Sequence, residues 1–237
     1  MKYKDVFRHR GKSYDLAMKT YPNVRDLEFK QIFHLLPLKG NEIILDVASL
    51  GGYLKKYCHQ SNQIISLDFS DAINDVNTVT PYEKWDIPTV DRIVCLATLH
   101  HVENFDAFLN NLKTHLSKNG IIHLADVSID NPISKFLDDF VGKYTSTGNH
   151  KGIYYDWNQL TFPNDFNIIS IENRPCPWIF KSEIEMAEFC RLLFDLRNIS
   201  NDDILIGLKE FVGYQENENN IQLNWNLTYA ELFIEND

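Results

Sequence analysis

The stretch Glu42-Ile43-Ile44-Leu45-Asp46-Val47-Ala48-Ser49-Leu50-Gly51-Gly52-Tyr53-Leu54 decides the fold. Its first six residues are rich in branched side chains and read as a short strand buried on both faces. An acid stands in that run at Asp46, and a glycine pair follows where the chain turns into a helical stretch. Gln63 to Leu67 (QIISL) repeats the arrangement and ends in Asp68. Asp91 to Ala97 (DRIVCLA) and Ile121 to Val127 (IIHLADV) are further runs of this kind. Between them the amphipathic stretch Phe105 to Leu116 reads as a helix, stopped at Asn119-Gly120. Strands alternating with helices predict an α/β domain whose parallel sheet carries helices on both faces.

Outward from this core the pattern is less regular. Towards the N-terminus, Val24, Leu27, Phe29, Ile32, Phe33, Leu35 and Leu36 recur at helical spacing until Pro37 and Gly40 end the run. Towards the C-terminus, Asn131 to Val141 reads as helix, 142–152 as loop, Tyr155 to Leu160 as a short helix and Phe166 to Glu172 as strand. Pro175 and Pro177 break the chain. Two helices follow, Ser182 to Leu196 and Asn201 to Tyr214, the first opened by the capping pattern Ser182-Glu183-Ile184-Glu185. Gln215 to Asn220 reads as a turn, and Ile221 to Ile234 as a last strand with alternating Leu223, Trp225, Leu227 and Tyr229. The segment Trp178 to Tyr214 is thus a helical insertion. Its apolar residues Ile184, Met186, Phe189, Leu192, Leu193, Phe194 and Leu196 read as core, or as a lid or dimer surface.

At 237 residues the chain is long enough for one substantial core. Residues 1–40 are read as an N-terminal helical cap, 41–130 as the core and 131–237 as substrate-side elements. A net charge of -10 without a dense basic cluster argues against a nucleic-acid partner. The basic residues gather only loosely, at Lys2, Lys4, Arg8, Arg10 and Lys12. Cys58, Cys95, Cys176 and Cys190 show no paired spacing and read as reduced thiols of a cytoplasmic protein. No apolar run reaches the roughly 20 residues of a membrane span.

In open α/β sheets, ligands bind beyond the carboxyl ends of the strands where the strand order reverses. Asp46, Asp68 and Asp86 fall at or near such ends. A carboxylate after the second strand suits a ribose diol, because its two oxygens accept from two adjacent hydroxyls.

The order of these elements resembles the class I S-adenosylmethionine-dependent methyltransferases, in the broad ubiquinone-biosynthesis-like branch that acts on small molecules. Ile44 to Leu54 resembles their first motif, Leu67-Asp68-Phe69-Ser70 the second and Trp85-Asp86-Ile87-Pro88 the acidic third. Asp91 to Val102, with its Leu99-His100-His101-Val102, resembles the fourth, and Leu116-Ser117-Lys118-Asn119-Gly120 the approach to the fifth strand. The likeness covers Glu42 to Val127 well and the remainder in outline. It departs at Ala48 and Leu50, where the family carries glycine, and a Cβ at Leu50 would crowd a ligand against the backbone.

The resemblance implies a Rossmann-like, mostly parallel seven-stranded sheet flanked by helices, with S-adenosylmethionine as cofactor. It places the loop Ala48, Ser49, Leu50, Gly51 and Gly52 under the cofactor's methionine part, with Asp46 orienting the amino group. It places Asp68 at the ribose, Asp86 at the adenine amino group, Ile87 against the ring, and Ala97 and Thr98 at the methionine end, with Phe69 also in the cofactor site.

Methyl transfer from a sulfonium asks mainly for positioning, and an oxygen or carbon acceptor also needs a base. His101 and His150 are the candidate bases, each read equally as an ordinary hydrogen-bonded or solvated histidine. Tyr14, Tyr154 and Tyr155 are candidates to close the pocket on the substrate side, where aromatic faces attract a sulfonium. His9, His100 and His123 show no metal-ligand spacing, so no metal is expected. The expected partner is a small, partly apolar acceptor, and a homodimer stays open. An NAD-dependent oxidoreductase is disfavoured because the Gly-x-Gly-x-x-Gly loop is absent and Asp86 would have no role. A relative that only binds a metabolite, or catalyses another step such as a cyclisation, remains the alternative.

Overall fold

The computed structural model describes residues 3–72 and 77–234. The chain opens with α1 (Tyr3–Thr20) and α2 (Asp26–Ile32). Five strands follow: β1 (Ile43–Val47), β2 (Gln63–Asp68), β3 (Asn77–Thr78), β4 (Val90–Leu96) and, after α3 (Phe105–Lys113), β5 (Leu116–Asp126). A helical run comes next, made of α4 (Pro132–Lys135), a π-helical segment (Phe136–Val141) and α5 (Gly142–Tyr144). The remainder is β6 (Phe166–Pro175), β7 (Trp178–Phe180), α6 (Glu183–Leu193), α7 (Asn201–Phe211), β8 (Tyr214–Asn217), β9 (Asn220–Leu223) and β10 (Asn226–Ile234).

Seven strands form one sheet in the order β3-β2-β1-β4-β5-β10-β6. The first five are parallel, and β10 pairs antiparallel with both β5 and β6. The order reverses between β1 and β4, so the crevice beyond Val47 and Leu96 is where such a sheet binds ligands. Ile44, Leu45, Ile93 and Cys95 are fully buried there, as strands covered on both faces require.

Several local expectations are corrected. The helix expected over Val24 to Leu36 is only α2, with Leu27 and Leu35 exposed; most of the N-terminal cap is α1. The helix after the glycine pair is a single 3-10 stretch, Tyr53–Tyr57. The helix α3 stops at Lys113, because the Thr114 hydroxyl caps the Asn111 carbonyl at 2.7 Å. Leu116 to Gly120 therefore belongs to the start of β5, with Asn119 in a left-handed conformation inside the strand. The expected loop 142–152 begins only after Tyr144. Residues 155–160 form a turn, since Tyr155 bridges to Ser128 and the Asp156 carboxylate accepts from the Asn158 amide.

The expected last strand, Ile221 to Ile234, is two strands, β9 and β10, and the expected turn Gln215 to Asn220 is largely strand β8. Tyr214–Asn217 and Asn220–Leu223 form a hairpin, and β7 joins it as a second sheet, β7-β9-β8. Trp225 lies between the sheets, stacked on Trp178 with ring centroids 4.0 Å apart. The helix α6 has the expected cap, Ser182 Oγ accepting from the Glu185 amide. Met186, Phe189, Leu193, Phe194 and Leu196 are core, whereas Ile184 is 64% exposed. α6 packs along α1, and together they roof the crevice.

Candidate functional site

The loop after β1 must turn sharply, and it does so with Ala48 (φ 58°), Leu50 (φ 38°), Gly51 (φ 107°) and Gly52 (φ 70°) all left-handed. Leu50 costs about 1–2 kcal/mol in this conformation. Its amide donates to Asp68 Oδ2 at 2.9 Å, and the Ser49 amide donates to the Leu67 carbonyl at 3.1 Å. The departure from glycine is thus held in place by β2, and the Leu50 side chain joins the core.

Asp46 and Asp68 end adjacent strands but differ in environment. Asp68 accepts from the Leu50 amide, the Ser70 amide at 2.8 Å and the Tyr3 hydroxyl at 3.0 Å. Burial raises its pKa, and these hydrogen bonds act against the rise. Asp46 Oδ2 is buried without a partner, as is Ser49 Oγ in the neighbouring loop. Burial, and then the charge of Asp68, push the Asp46 carboxyl up to about 7. Buried unsatisfied polar atoms of this kind are costly and mark a place where a ligand or water belongs.

Two cavities flank Tyr3, Thr98 and His101, which wall both. The outer one, about 500 Å³, is bounded by Phe69, residues 78–86 including Asp86, and Val102. Asp86 is exposed to it. Ile87, expected against the same ligand, packs into the surrounding core and does not line it. The inner chamber, about 70 Å³, is lined by Ala48, Leu50, Ala97, Thr98, Tyr14 and three histidines, among others. From the roof and floor it receives Phe7, Arg10, Trp178, Leu193 and Phe194.

His100, His101 and His150 converge in this chamber. One ring nitrogen of each lies within 4.8 Å of those of the other two. His100 Nδ1 meets Asp126 Oδ1 at 2.8 Å. His150 Nδ1 lies 3.5 Å from Asp138 Oδ1, and neither it nor His101 Nδ1 completes a hydrogen bond. Burial, with His100, His150 and Arg10 adding to it, holds His101 well below the ordinary histidine range. Burial likewise takes His150 down to about 4.

Tyr14 lines the chamber and accepts from Arg25 Nη1 at 2.6 Å, but Tyr154 and Tyr155 do not line it. Tyr154 is drawn away by a hydrogen bond to Asp138 (2.9 Å), and Tyr155 donates to the Val102 carbonyl while packing on Phe105. Sequence reading missed Tyr3, Arg10, Arg25, Glu28 and Trp178. Arg10 is buried, donates to the Leu193 carbonyl at 2.7 Å and lies over Phe7 and Phe194. Burial lowers its pKa to about 10. Arg25 and Glu28 form a buried ion pair, and Trp178 Nε1 donates to Glu28 at 2.8 Å. No helix among the described residues is long and apolar enough to cross a membrane.

No protein-family model matches the sequence, and no curated protein matches it. Solved structures do. A SAM-dependent methyltransferase from Thermotoga maritima aligns with TM-score 0.60 and 10% identity, over 98% of this chain and 99% of that one. Phosphoethanolamine N-methyltransferase 2 of Haemonchus contortus, in complex with S-adenosylhomocysteine, aligns with TM-score 0.60 and 12% identity, over 100% of this chain and 61% of that one. The [4+2]-cyclase SpnF aligns with TM-score 0.53 and 14% identity, over 87% of this chain and 79% of that one. The fold is therefore the Rossmann-like fold of the class I methyltransferases, as expected from the sequence.

Proposed function

We propose that this chain transfers a methyl group from S-adenosylmethionine to an oxygen, nitrogen or carbon of a small-molecule acceptor. The observation that carries the reading is the pairing of two cavities across one wall. An outer cavity of about 500 Å³ is in the size range of a nucleoside-sized ligand, and Thr98 and His101 stand between it and the inner chamber. Asp46 Oδ2 and Ser49 Oγ line neither cavity but are buried without partners beside the loop, and the amino-acid end of that cofactor would bring hydrogen-bond donors and acceptors to both.

When bound, the cofactor supplies a methyl group already activated on a sulfonium. The chain's own residues supply position, dryness and proton handling. Phe69 and Asp86 hold the adenine, Asp68 the ribose, Asp46 the ammonium, and the loop 48–52 with Ala97 and Thr98 the remainder. Phe7, Leu193 and Phe194 give the chamber an apolar wall. His101 Nδ1 is buried, unpartnered and held neutral by burial, so it can accept the acceptor's proton, whereas His150 Nδ1 faces Asp138.

A second reading, a metabolite binder or an enzyme of a different reaction on the same fold, is favoured by one observation: Tyr3 already bonds Asp68. Calorimetric titration with S-adenosylhomocysteine separates the two. Saturable binding that Asp86→Ala weakens supports methyl transfer. Absence of binding by the folded wild type rejects it and leaves the second reading.

A further inference from the structure

We propose that His100, His101 and His150 form a site for one late first-row divalent cation, Zn2+ by ligand type, with an oxygen of the acceptor as a further ligand. Imidazole is the usual neutral ligand for such cations, and three protein ligands with an open position are the arrangement of catalytic rather than structural sites. The three residues are all buried, and one ring nitrogen of each lies within 4.8 Å of those of the other two. His101 Nδ1 lacks a hydrogen-bond partner, a costly state that a cation on that atom removes.

The outer shell has the form that such sites require. Ligating histidines are oriented by carboxylates on their second nitrogen. Asp126 Oδ1 stands 2.8 Å from His100 Nδ1, and Asp138 Oδ1 stands 3.5 Å from His150 Nδ1. Each carboxylate is itself fixed, Asp126 by the His100 amide (3.1 Å) and Asp138 by the Gly152 amide and the Tyr154 hydroxyl. This leaves the Nε2 atoms of His100 and His150 for the cation. Charge agrees: Asp126, Asp138 and Glu28 stand around the chamber against Arg10 and Arg25, so acids outnumber fixed cations there.

The ligand atoms have to close from their present separations to about 3.4 Å, the spacing of imidazole nitrogens around a tetrahedral ion. His100 and His101 lie on a short 3-10 turn after β4, whereas His150 lies in the loop after α5 that begins at Thr145. Cation binding therefore requires a small shift of that loop towards the turn. Phe7 and Tyr3 stand edge-on to the His101 ring at 5.9 Å and cover the site from above. The chamber of about 70 Å³ leaves room for a water or one acceptor oxygen beside the ion. That the oxygen belongs to an acceptor rests on the methyl-transfer reading; cation binding itself does not, and with the cation bound His101 and His150 are ligands and no longer bases.

The test is titration of tag-free, metal-stripped protein with Co2+, followed by competition with Zn2+. Wild type is expected to take up one Co2+ with the intense visible band of a four-coordinate ion, and Zn2+ to bleach it. His150→Ala is expected to bind on the order of a hundredfold more weakly and Asp138→Asn about tenfold, as outer-shell losses do. His150 is a loop residue, and circular dichroism confirms that each variant is folded. A folded wild type without the band, or a His150→Ala variant that binds Co2+ as tightly, overturns the proposal. Metal uptake without S-adenosylhomocysteine binding removes only the acceptor's role, and the reverse removes only the cation site.

Discussion

The Tyr3 hydroxyl donates to Asp68 Oδ2 at 3.0 Å, so an α1 side chain occupies the carboxylate proposed to hold the cofactor's ribose. The same hydroxyl also reaches the Ala48 carbonyl at 3.3 Å. The contact is not an accident of a loose terminus, since α1 is tied to α6 by Ser13 Oγ (2.7 Å to the Leu192 carbonyl) and by Arg10. The Leu50 and Ser70 amides take other lone pairs of Asp68. An arriving diol must therefore compete with Tyr3 for the carboxylate, and α1 has to yield at its first turn.

Tyr3→Phe removes the competing donor and keeps the ring. S-Adenosylhomocysteine is expected to bind about fivefold more tightly, the equivalent of one hydrogen bond of roughly 1 kcal/mol. The free protein is expected to lose a similar amount of stability. Calorimetry and thermal melting read the two effects, and unchanged or weaker binding would show that Tyr3 does not obstruct the site.

Asp46 gives a pH dependence with a defined sign. Its folded pKa of about 7 lies above the ordinary 3.8, so the folded protein holds this proton more tightly than the unfolded chain does. Stability from that proton is complete below pH 3.8 and is lost as pH rises towards 7, by up to about 4 kcal/mol. Asp46→Asn is expected to melt higher than wild type at pH 8 and to match it near pH 4. Binding of S-adenosylhomocysteine, whose ammonium favours the ionised carboxylate, strengthens through pH 7 in the wild type and stays flat in Asp46→Asn. A wild-type profile as flat as the variant's would remove Asp46 from the cofactor site.

The strand ends were legible because they are local. Ile43 to Val47 and Gln63 to Asp68 each carry their burial in a few consecutive branched residues, and an acid at the end marks the crevice. The second sheet was not legible. Alternation runs from Ile221 through Trp225 to Tyr229, so nothing in the period betrays that the chain leaves one sheet and enters another at Asn224-Trp225. The chamber depends on partners far apart in the chain: Tyr3 with Asp68, Arg10 with Leu193, His101 with His150. Spacing analysis examines near neighbours, and on that basis the histidines offered no metal set.

Arg25 and Glu28 test the floor of the chamber. Glu28 is fully buried, and its carboxylate serves both Arg25 and the Trp178 indole. Glu28→Gln leaves Arg25 buried without its counter-charge and is expected to cost about 3–5 kcal/mol. At this chain length that is a fall in melting temperature of about 6–20 °C. Because replacing a whole buried pair with apolar residues is commonly neutral, Arg25→Met with Glu28→Leu is expected to recover most of the loss. A Glu28→Gln variant as stable as wild type would mean that the pair contributes nothing to the fold.

Gly207 and Gly148 separate two reasons for a glycine. Gly207 lies inside α7, where alanine is better by about 1 kcal/mol on propensity alone. A Cβ there would stand 2.5 Å from Phe140 Cζ, and that ring is already packed against Phe136, Tyr144 and Phe211. The ring has nowhere to go, and the π-helical segment that carries it would have to shift, at the upper end of the 1–3 kcal/mol typical of overpacking. Steric cost outweighs propensity, so Gly207→Ala is expected to destabilise by about 2 kcal/mol and to lower the melting temperature by about 4–8 °C. Gly148 is the opposite case: a Cβ meets nothing within 4 Å, but φ is 65°. Gly148→Ala therefore carries only the left-handed strain of about 1–2 kcal/mol. It is further predicted that Gly207→Ala is rescued by Phe140→Leu, which vacates the ring's space, while Gly148→Ala is not. Rescue of neither, or of both, would place the cost of Gly207→Ala elsewhere than in the Phe140 contact.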